Sequence, residues 1–294
     1  MALSKEFLIA SLSFIANGNV VENTVTGSGT TPNVYTPSIV KQIIFLMKNN
    51  GVVVSQTTAT VSRLSDSISA NGVENVNIVY IGTDASNYSY TTDEIEVWGA
   101  SNTALLYKIA DITPNNPISK SDDDYLQVQY SITVKACTSY TAIQTVSTYI
   151  SNSINVKVPT SPFLYLMLSM LIPDLITILK KNPTYPLSQL VNYINLSNYQ
   201  GIDTAYIGSS QIDIINTQVG YGNGIAKLVV NTQFSGNESG ISTFGFTSAG
   251  VYIPLLVYAS SSYTPPYLSF SVSIQYGSGT LLTINQTSTT GDSQ

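Results

Sequence analysis

Apolar and polar residues alternate most clearly near the middle of the chain. Leu126, Val128, Tyr130, Ile132 and Val134 interleave with Gln127, Gln129, Ser131 and Thr133. This period-two pattern marks a strand with one buried and one polar face. Leu268, Phe270, Val272, Ile274 and Tyr276 alternate with Ser269, Ser271, Ser273 and Gln275 in the same way. Strands are also predicted at 5–16 and 19–26, separated by the hairpin dipeptide Asn17-Gly18, and at 51–61, 76–83, 93–99 and 104–112. In the second half the strand segments are 141–150, 154–158, 203–208, 211–216, 225–234 and 251–258.

Helical spacing predicts a helix over 38–51, SIVKQIIFLMKNNG, closing on two Asn and a Gly, and short helices at 62–70 and 186–195. The most apolar stretch, PFLYLMLSMLIPDLITILKK, is interrupted by Pro173-Asp174. It is short for a spanning helix and reads as a buried helical hairpin whose second helix opens at Pro173. Contact of Phe163–Leu179 with lipid or a partner is the competing reading. MALSKEFLIASLSFIANG loosely resembles a signal peptide. Glu6 interrupts its charged region and no small-residue cleavage site follows, so a first strand is expected.

The apolar positions also hint at duplication. VSRLSDSI (61–68) shares Ser, Leu and Ile with LSQLVNYI (187–194), Tyr80-Ile81-Gly82 recurs as Tyr206-Ile207-Gly208, and YLQVQYSI (125–132) recurs as YLSFSVSI (267–274). Charges do not recur: Asp66 aligns with Asn192, Glu74 with Gln200 and Asp84 with Ser210. The pattern implies a repeated architecture without a repeated acid–base site. The predicted fold is therefore mainly β: a tandem (double) jelly-roll-like antiparallel β-sandwich with one or two short helices per repeat. The repeats are set at 1–138 and 139–286, with a disordered tail at 287–294.

Composition narrows the chemistry. The 294 residues carry a net charge of −6 from 11 Lys and Arg against 17 Asp and Glu, and Arg63 is the single arginine. A chain with no basic stripe is a poor phosphate binder, so no nucleic-acid partner is expected. The absence of His and the single Cys137 exclude imidazole chemistry, an intrachain disulfide and cysteine-rich zinc sites. Twenty Tyr fit either protein interfaces or strand formation.

Four groups of residues are candidates for a site. Asp122, Asp123 and Asp124 offer hard oxygen ligands for calcium but lack EF-hand spacing, so a solvated loop is the simpler reading. Glu94 and Glu96 share a strand face at a separation a glycosidase could use; outward-facing glutamates are the simpler account. Trp98 is either a sugar platform or a core or interface residue. Glycosylation sequons stand at Asn87, Asn195, Asn237 and Asn285. No nucleotide or hydrolase motif is found, and no cofactor and no enzymatic activity are expected.

The stretch TTDEIEVWGASNTALLYKIADI, followed by SKSDDDYLQVQYSITVKA up to residue 136, resembles the C-terminal strands of jelly-roll domains in virion proteins of archaeal viruses from hot, acidic springs. The family it is most similar to is that of Sulfolobus turreted icosahedral virus, and 251–277 shows a weaker likeness. The resemblance implies a capsid, penton or turret component that does no chemistry. Its partners would be copies of itself and neighbouring capsid subunits, and its location the virion. A C-terminal transmembrane helix like that of some major capsid proteins is not evident, which favours a minor role. The alternative is a cell-surface adhesin or carbohydrate-binding β-sandwich module on the host surface.

Overall fold

The computed structural model describes residues 3–18, 20–21, 34–35, 40–70, 73–137, 161–207, 209–222, 225–233, 243–257, 267–275 and 284–290. The strands predicted at 141–150 and 154–158 lie outside the described residues, as does Asn237.

The chain opens with a helix, α1 (Lys5–Asn17), not with the predicted strand. Ser4 caps it by accepting from the Phe7 N–H, and Gly18 closes it in a left-handed conformation, donating its N–H to the Phe14 carbonyl. Phe7, Leu8 and every residue from Ala10 to Ala16 are buried. A helix covered on all faces has no polar stripe, so its sequence carries no 3.6-residue signal.

Strand β1 (Val20–Val21) pairs with β2 (Val34–Tyr35). The first large sheet contains β3 (Gln42–Asn49), β4 (Val52–Ile68), β5 (Val73–Asp84), β7 (Glu94–Ala100), β8 (Leu105–Ile112) and β10 (Leu126–Cys137). Its order is β10-β5-β4-β3-β7-β8, with every pair antiparallel. Beside it, β6 (Tyr90–Thr92) and β9 (Ile118–Lys120) form a small ribbon.

Two helical predictions become strands here. In β3, Ile43, Phe45 and Met47 face the core, while Ile44 and Leu46 are buried on the other face beside Ala100 and Trp98. A central strand buried on both faces reads as a continuous apolar run, which length and spacing alone do not separate from a helix. The Asn50-Gly51 that follows is a hairpin turn with both residues at positive φ (50° and 77°). Most of the 62–70 segment, up to Ile68, belongs to β4, where a bulge between Val61 and Arg63 shifts the alternation by one residue and mimics helical spacing.

The second half begins with α2 (Ser161–Leu168) and α3 (Leu175–Lys181), separated by a turn at Pro173-Asp174, as predicted for the hairpin. Residues 186–195 hold a 3-10 turn, Pro186–Val191, and a second such turn spans Leu196–Asn198. Strands β11 (Thr204–Ile207), β12 (Ser210–Gly222), β13 (Ile225–Gln233), β14 (Thr243–Ser248), β15 (Val251–Val257), β16 (Tyr267–Gln275) and β17 (Ile284–Thr290) build a seven-stranded sheet. Its order is β15-β14-β11-β12-β13-β16-β17. Residues 287–290, expected in a disordered tail, are paired with Leu268–Ser271 of β16, whose backbone groups they satisfy.

The chain is thus mainly β and antiparallel, as its alternating segments predicted. In a jelly roll the strands of one repeat divide between two facing sheets. Here six of the strands within 42–137 make one large sheet, with the β6–β9 ribbon apart from it, and those of 204–290 make the other. Between them lie the helices: α1 contacts β8 on one side and β12 and β13 on the other, and α2 contacts both β10 and β15. One continuous core results, from Phe7 and Phe14 through Phe45, Ile78, Tyr130 and Phe163 to Leu228 and Phe246. The duplicated segments do not all coincide in structure, because 61–68 is strand β4 whereas 187–194 is the 3-10 turn region.

The segment Phe163–Leu179 therefore contacts the chain's own sheets. Phe163, Leu164, Tyr165, Leu166, Met167 and Leu168 are each 0 % exposed. Tyrosines on the first sheet fasten the turn after α2: Tyr80 donates to the Leu171 carbonyl at 2.8 Å, Tyr107 donates to the Met170 carbonyl, and Tyr80 stacks on Tyr130. These tyrosines serve the core; burial pushes the pKa of Tyr80 and Tyr107 upward.

Candidate functional site

One end of the first sheet gathers the β3–β4 turn, the 85–89 loop, the β6–β9 ribbon and the loop leading into β10. Its hub is Asp84, 5 % exposed. Asp84 accepts from the Ser55 hydroxyl (2.5 Å), the Tyr90 hydroxyl (2.7 Å) and the Ser86 N–H (2.9 Å). Burial acts to raise its pKa, but these donors prevail and hold the carboxyl at about 2. Lys120, 3 % exposed, fastens the same end from within. Its ammonium donates to the carbonyls of Ser86, Tyr88 and Ser121 and sits 5.9 and 5.8 Å from the ring centroids of Tyr88 and Tyr90. Asp93 accepts from the Asn50 N–H and pins the hairpin turn.

Around this rigid base, large side chains remain exposed: Tyr125 (71 %), Val52 (66 %), Tyr88 (49 %) and Val53 (49 %). Asp122, Asp123 and Asp124 are exposed on the adjoining loop. Asp124 accepts from Ser121 across the turn, so its carboxylate is engaged locally.

Glu94, Glu96 and Asp111 converge on the outer face, with one carboxylate oxygen of each within 4.8 Å of the others. Lysines occupy that space. Lys48 pairs with Glu96 at 2.8 Å, and Lys108 bridges Glu96 (3.4 Å) and Asp111 (3.1 Å). The Trp98 indole N–H donates to Glu96 at 2.9 Å. Burial would raise the Glu96 pKa; Lys48, Trp98 and Lys108 outweigh it and keep the carboxyl below its usual range. A general acid needs the opposite environment, a carboxyl held above its usual range, and Glu96 does not have it.

The remaining sequence candidates are scattered. Asn87 is exposed in the 85–89 loop, and Asn195 caps the Leu196–Asn198 turn by accepting from the Ser197 N–H. Asn285 lies in β17 opposite Ser273. A cavity of about 300 Å³ opens beside α3, walled by Val40, Ile172, Leu175 and Leu196, with Lys41 and Asp174 among its lining residues.

Sequence reasoning did not single out Asp84 or Lys120, and it passed over a second buried pair, Asp66 and Glu74. Glu74 is 0 % exposed and Asp66 8 %. They occupy diagonal positions on one face of the β4–β5 ladder, where Asp66 stands opposite Val76 and Ile68 opposite Glu74. The Leu187 N–H donates to Asp66 Oδ2 at 2.9 Å, yet Asp66 Oδ1 and both Glu74 oxygens have no donor in hydrogen-bonding geometry. Burial raises both pKa values, that of Glu74 to about 8, and the neighbouring Asp66 charge adds to the effect. The Ser161 hydroxyl lies near enough to lower Glu74 somewhat, without reaching hydrogen-bonding geometry.

Taken together, this is a mainly β, antiparallel protein with a clamped, aromatic end and buried carboxyls, and its relatives are proteins of archaeal viruses. Over 294 residues it is 42 % identical to "Putative transmembrane protein ORF289" of Acidianus filamentous virus 2 (isolate Italy/Pozzuoli), covering 99 % of both chains. The chain belongs to the family of that viral protein. It is also 31 % identical over 91 residues to "Uncharacterized protein 53" of Sulfolobus islandicus filamentous virus, covering 31 % of this chain and 27 % of that one. These relatives come from filamentous viruses, whereas the sequence resemblance pointed to an icosahedral one. No protein-family model and no solved structure matches the chain. Among the described residues no helix is long and apolar enough to cross a membrane, which does not bear on crossing by strands.

Proposed function

We propose that the chain is a non-enzymatic structural component of a virion, a capsid-type protein that assembles with copies of itself and with neighbouring subunits. The observation that carries this reading is the clamped end of the first sheet. Asp84 and Lys120 hold the 85–89 loop and the chain at Ser121, and Asp93 pins the β3–β4 turn, while Tyr125, Val52, Tyr88 and Val53 stay uncovered. Preorganised aromatic and aliphatic side chains on a rigid base lose little conformational entropy on docking, as assembly contacts require. The viral relatives support a virion location, and their filamentous origin favours a shell or terminal element over a penton or turret. No cofactor and no nucleic-acid partner enter this reading.

Lipid contact through Phe163–Leu179 would require that segment to leave the core, where its first six residues are fully covered. The reading as an adhesin or carbohydrate-binding module draws on the same exposed tyrosines and on Asn87.

Imaging of purified particles tests the proposal. The chain is expected in the ordered shell or its terminal structures, with Tyr88 and Tyr125 at a subunit contact. Its absence from the particle, with the protein recovered on the host envelope, would favour the adhesin.

A further inference from the structure

Three buried oxygens without a donor need a physical explanation. Buried acceptors are almost always satisfied, and an ionised carboxylate inside a core is costly unless paired. Asp66 Oδ1 and the two Glu74 oxygens belong to diagonal neighbours on one sheet face. A single proton between the two carboxyls turns one acceptor into a donor, satisfies an oxygen on each side and removes one of two adjacent negative charges.

The pair joins three parts of the fold. Asp66 and Glu74 sit near the ends of β4 and β5. The Asp66 carboxylate receives the Leu187 N–H of the Pro186–Val191 turn, and Ser161, at the start of α2, stands beside Glu74. Tyr185 strengthens the junction by donating to the Leu64 carbonyl at 2.6 Å. Among the described residues, the groups that act on Glu74 are Ser161 and Asp66, and those that act on Asp66 are the Leu187 N–H and Glu74. No cation is among them. On β10, Ala136 stands opposite Glu74, and Lys135 stands opposite Asn75.

We propose that Asp66 and Glu74 form a proton-binding site, and that loss of the shared proton opens the junction holding the start of α2 and the Pro186–Val191 turn. The reaction is a deprotonation of the carboxyl pair to solvent hydroxide or buffer base, leaving two carboxylates. Their repulsion and hydration draw the pair apart. The elements released lead directly into the run from Pro162 to Leu168, buried at every position, so opening uncovers apolar surface.

The direction follows from linkage. A carboxyl with a raised folded pKa contributes stability that is full below its ordinary value, 4.5 for Glu74, and is lost as pH rises through the folded value near 8. If one proton governs opening, the opening constant rises about tenfold per pH unit across that window.

Hydrogen exchange of the full chain, corrected for intrinsic rates and followed at Leu187 and in the first turns of α2, measures this opening between pH 4 and 8. Wild type is expected to lose protection at close to tenfold per unit. Glu74→Gln, which imitates the protonated form, should stay protected with a flat profile, and Asp66→Asn should move the loss to a different pH. A flat wild-type profile, or an equal slope in wild type and Glu74→Gln, overturns the proposal. If Glu74→Gln does not fold, the displaced Asp66→Asn profile decides, and an undisplaced one overturns it. Restoration of protection at pH 8 by millimolar calcium or sodium would make this a cation site and overturn it equally.

Discussion

At the residue scale, two buried carboxyls pull the pH dependence of this chain in opposite directions. Asp84 is surrounded by donors, and its pKa falls from an ordinary 3.8 to about 2. A depressed carboxyl contributes stability above its ordinary value, and that contribution is lost as pH falls towards 2. Glu74 has no donor and titrates near 8, so its contribution is lost on the alkaline side. The two windows overlap near pH 4, where the stability of the wild type should peak. Asp84→Asn should lower stability at neutral pH by about 2 kcal/mol and flatten the acid limb below pH 4, leaving the alkaline limb unchanged. Denaturant unfolding from pH 2 to 8 measures both limbs. An acid limb that persists in the variant would show that Asp84 does not cause it.

At the element scale, the position of α1 depends on a backbone contact between two glycines. Gly18 closes the helix at φ +71°, and Gly201, at φ +89°, passes across the last turn. A Cβ on Gly201 would lie 2.5 Å from the Ala16 carbonyl oxygen, and one on Gly18 would lie 2.5 Å from the Gln200 carbonyl carbon. The Ile202 N–H donates to Ala16, and the Tyr199 hydroxyl donates to Ile15. Gly201→Ala combines left-handed strain with a backbone clash and should cost about 3 kcal/mol. Gly51→Ala shares the strain (φ +77°) but meets nothing within 4 Å, and should cost about 1 kcal/mol. Equal losses in the two variants would show that the close approach contributes nothing.

At the scale of the whole molecule, the helical layer couples the two sheets. Phe14 contacts Tyr199, which contacts Phe246 of the second sheet, and Phe7 reaches Tyr107 of the first. Phe163 and Leu164 lie in the same core. Leu164→Ala should therefore cost about 3–4 kcal/mol and lower the unfolding of both halves together. Calorimetry should record one transition in the wild type and one in the variant, with equal calorimetric and van't Hoff enthalpies. A first-half transition left in place after Leu164→Ala would refute this coupling. Separately expressed 1–138 and 139–294 would each expose one wall of the core and are expected not to fold.

The sequence by itself determined what depends on local periodicity and on composition. The alternation at 126–134 and 268–274 set two strands, the first with its inward face of Val128, Tyr130, Ile132 and Val134. Pro173-Asp174 placed the break between α2 and α3, and the lack of His and of basic patches limited the chemistry. Three features hid their meaning because tertiary surroundings override local pattern: α1 is covered on every face, β3 on both of its faces, and β4 carries a bulge. The site residues were less legible still. Asp84 and Lys120 lie 36 residues apart with strands β7 and β8 between them, and nothing local marks them as parts of one cluster. Asp66 and Glu74 face each other only through the β4–β5 register. Only the tertiary structure decided that two sheets from opposite halves would close over shared helices. Burial and pairing between distant segments are properties of the assembled core, and no window of the chain contains them.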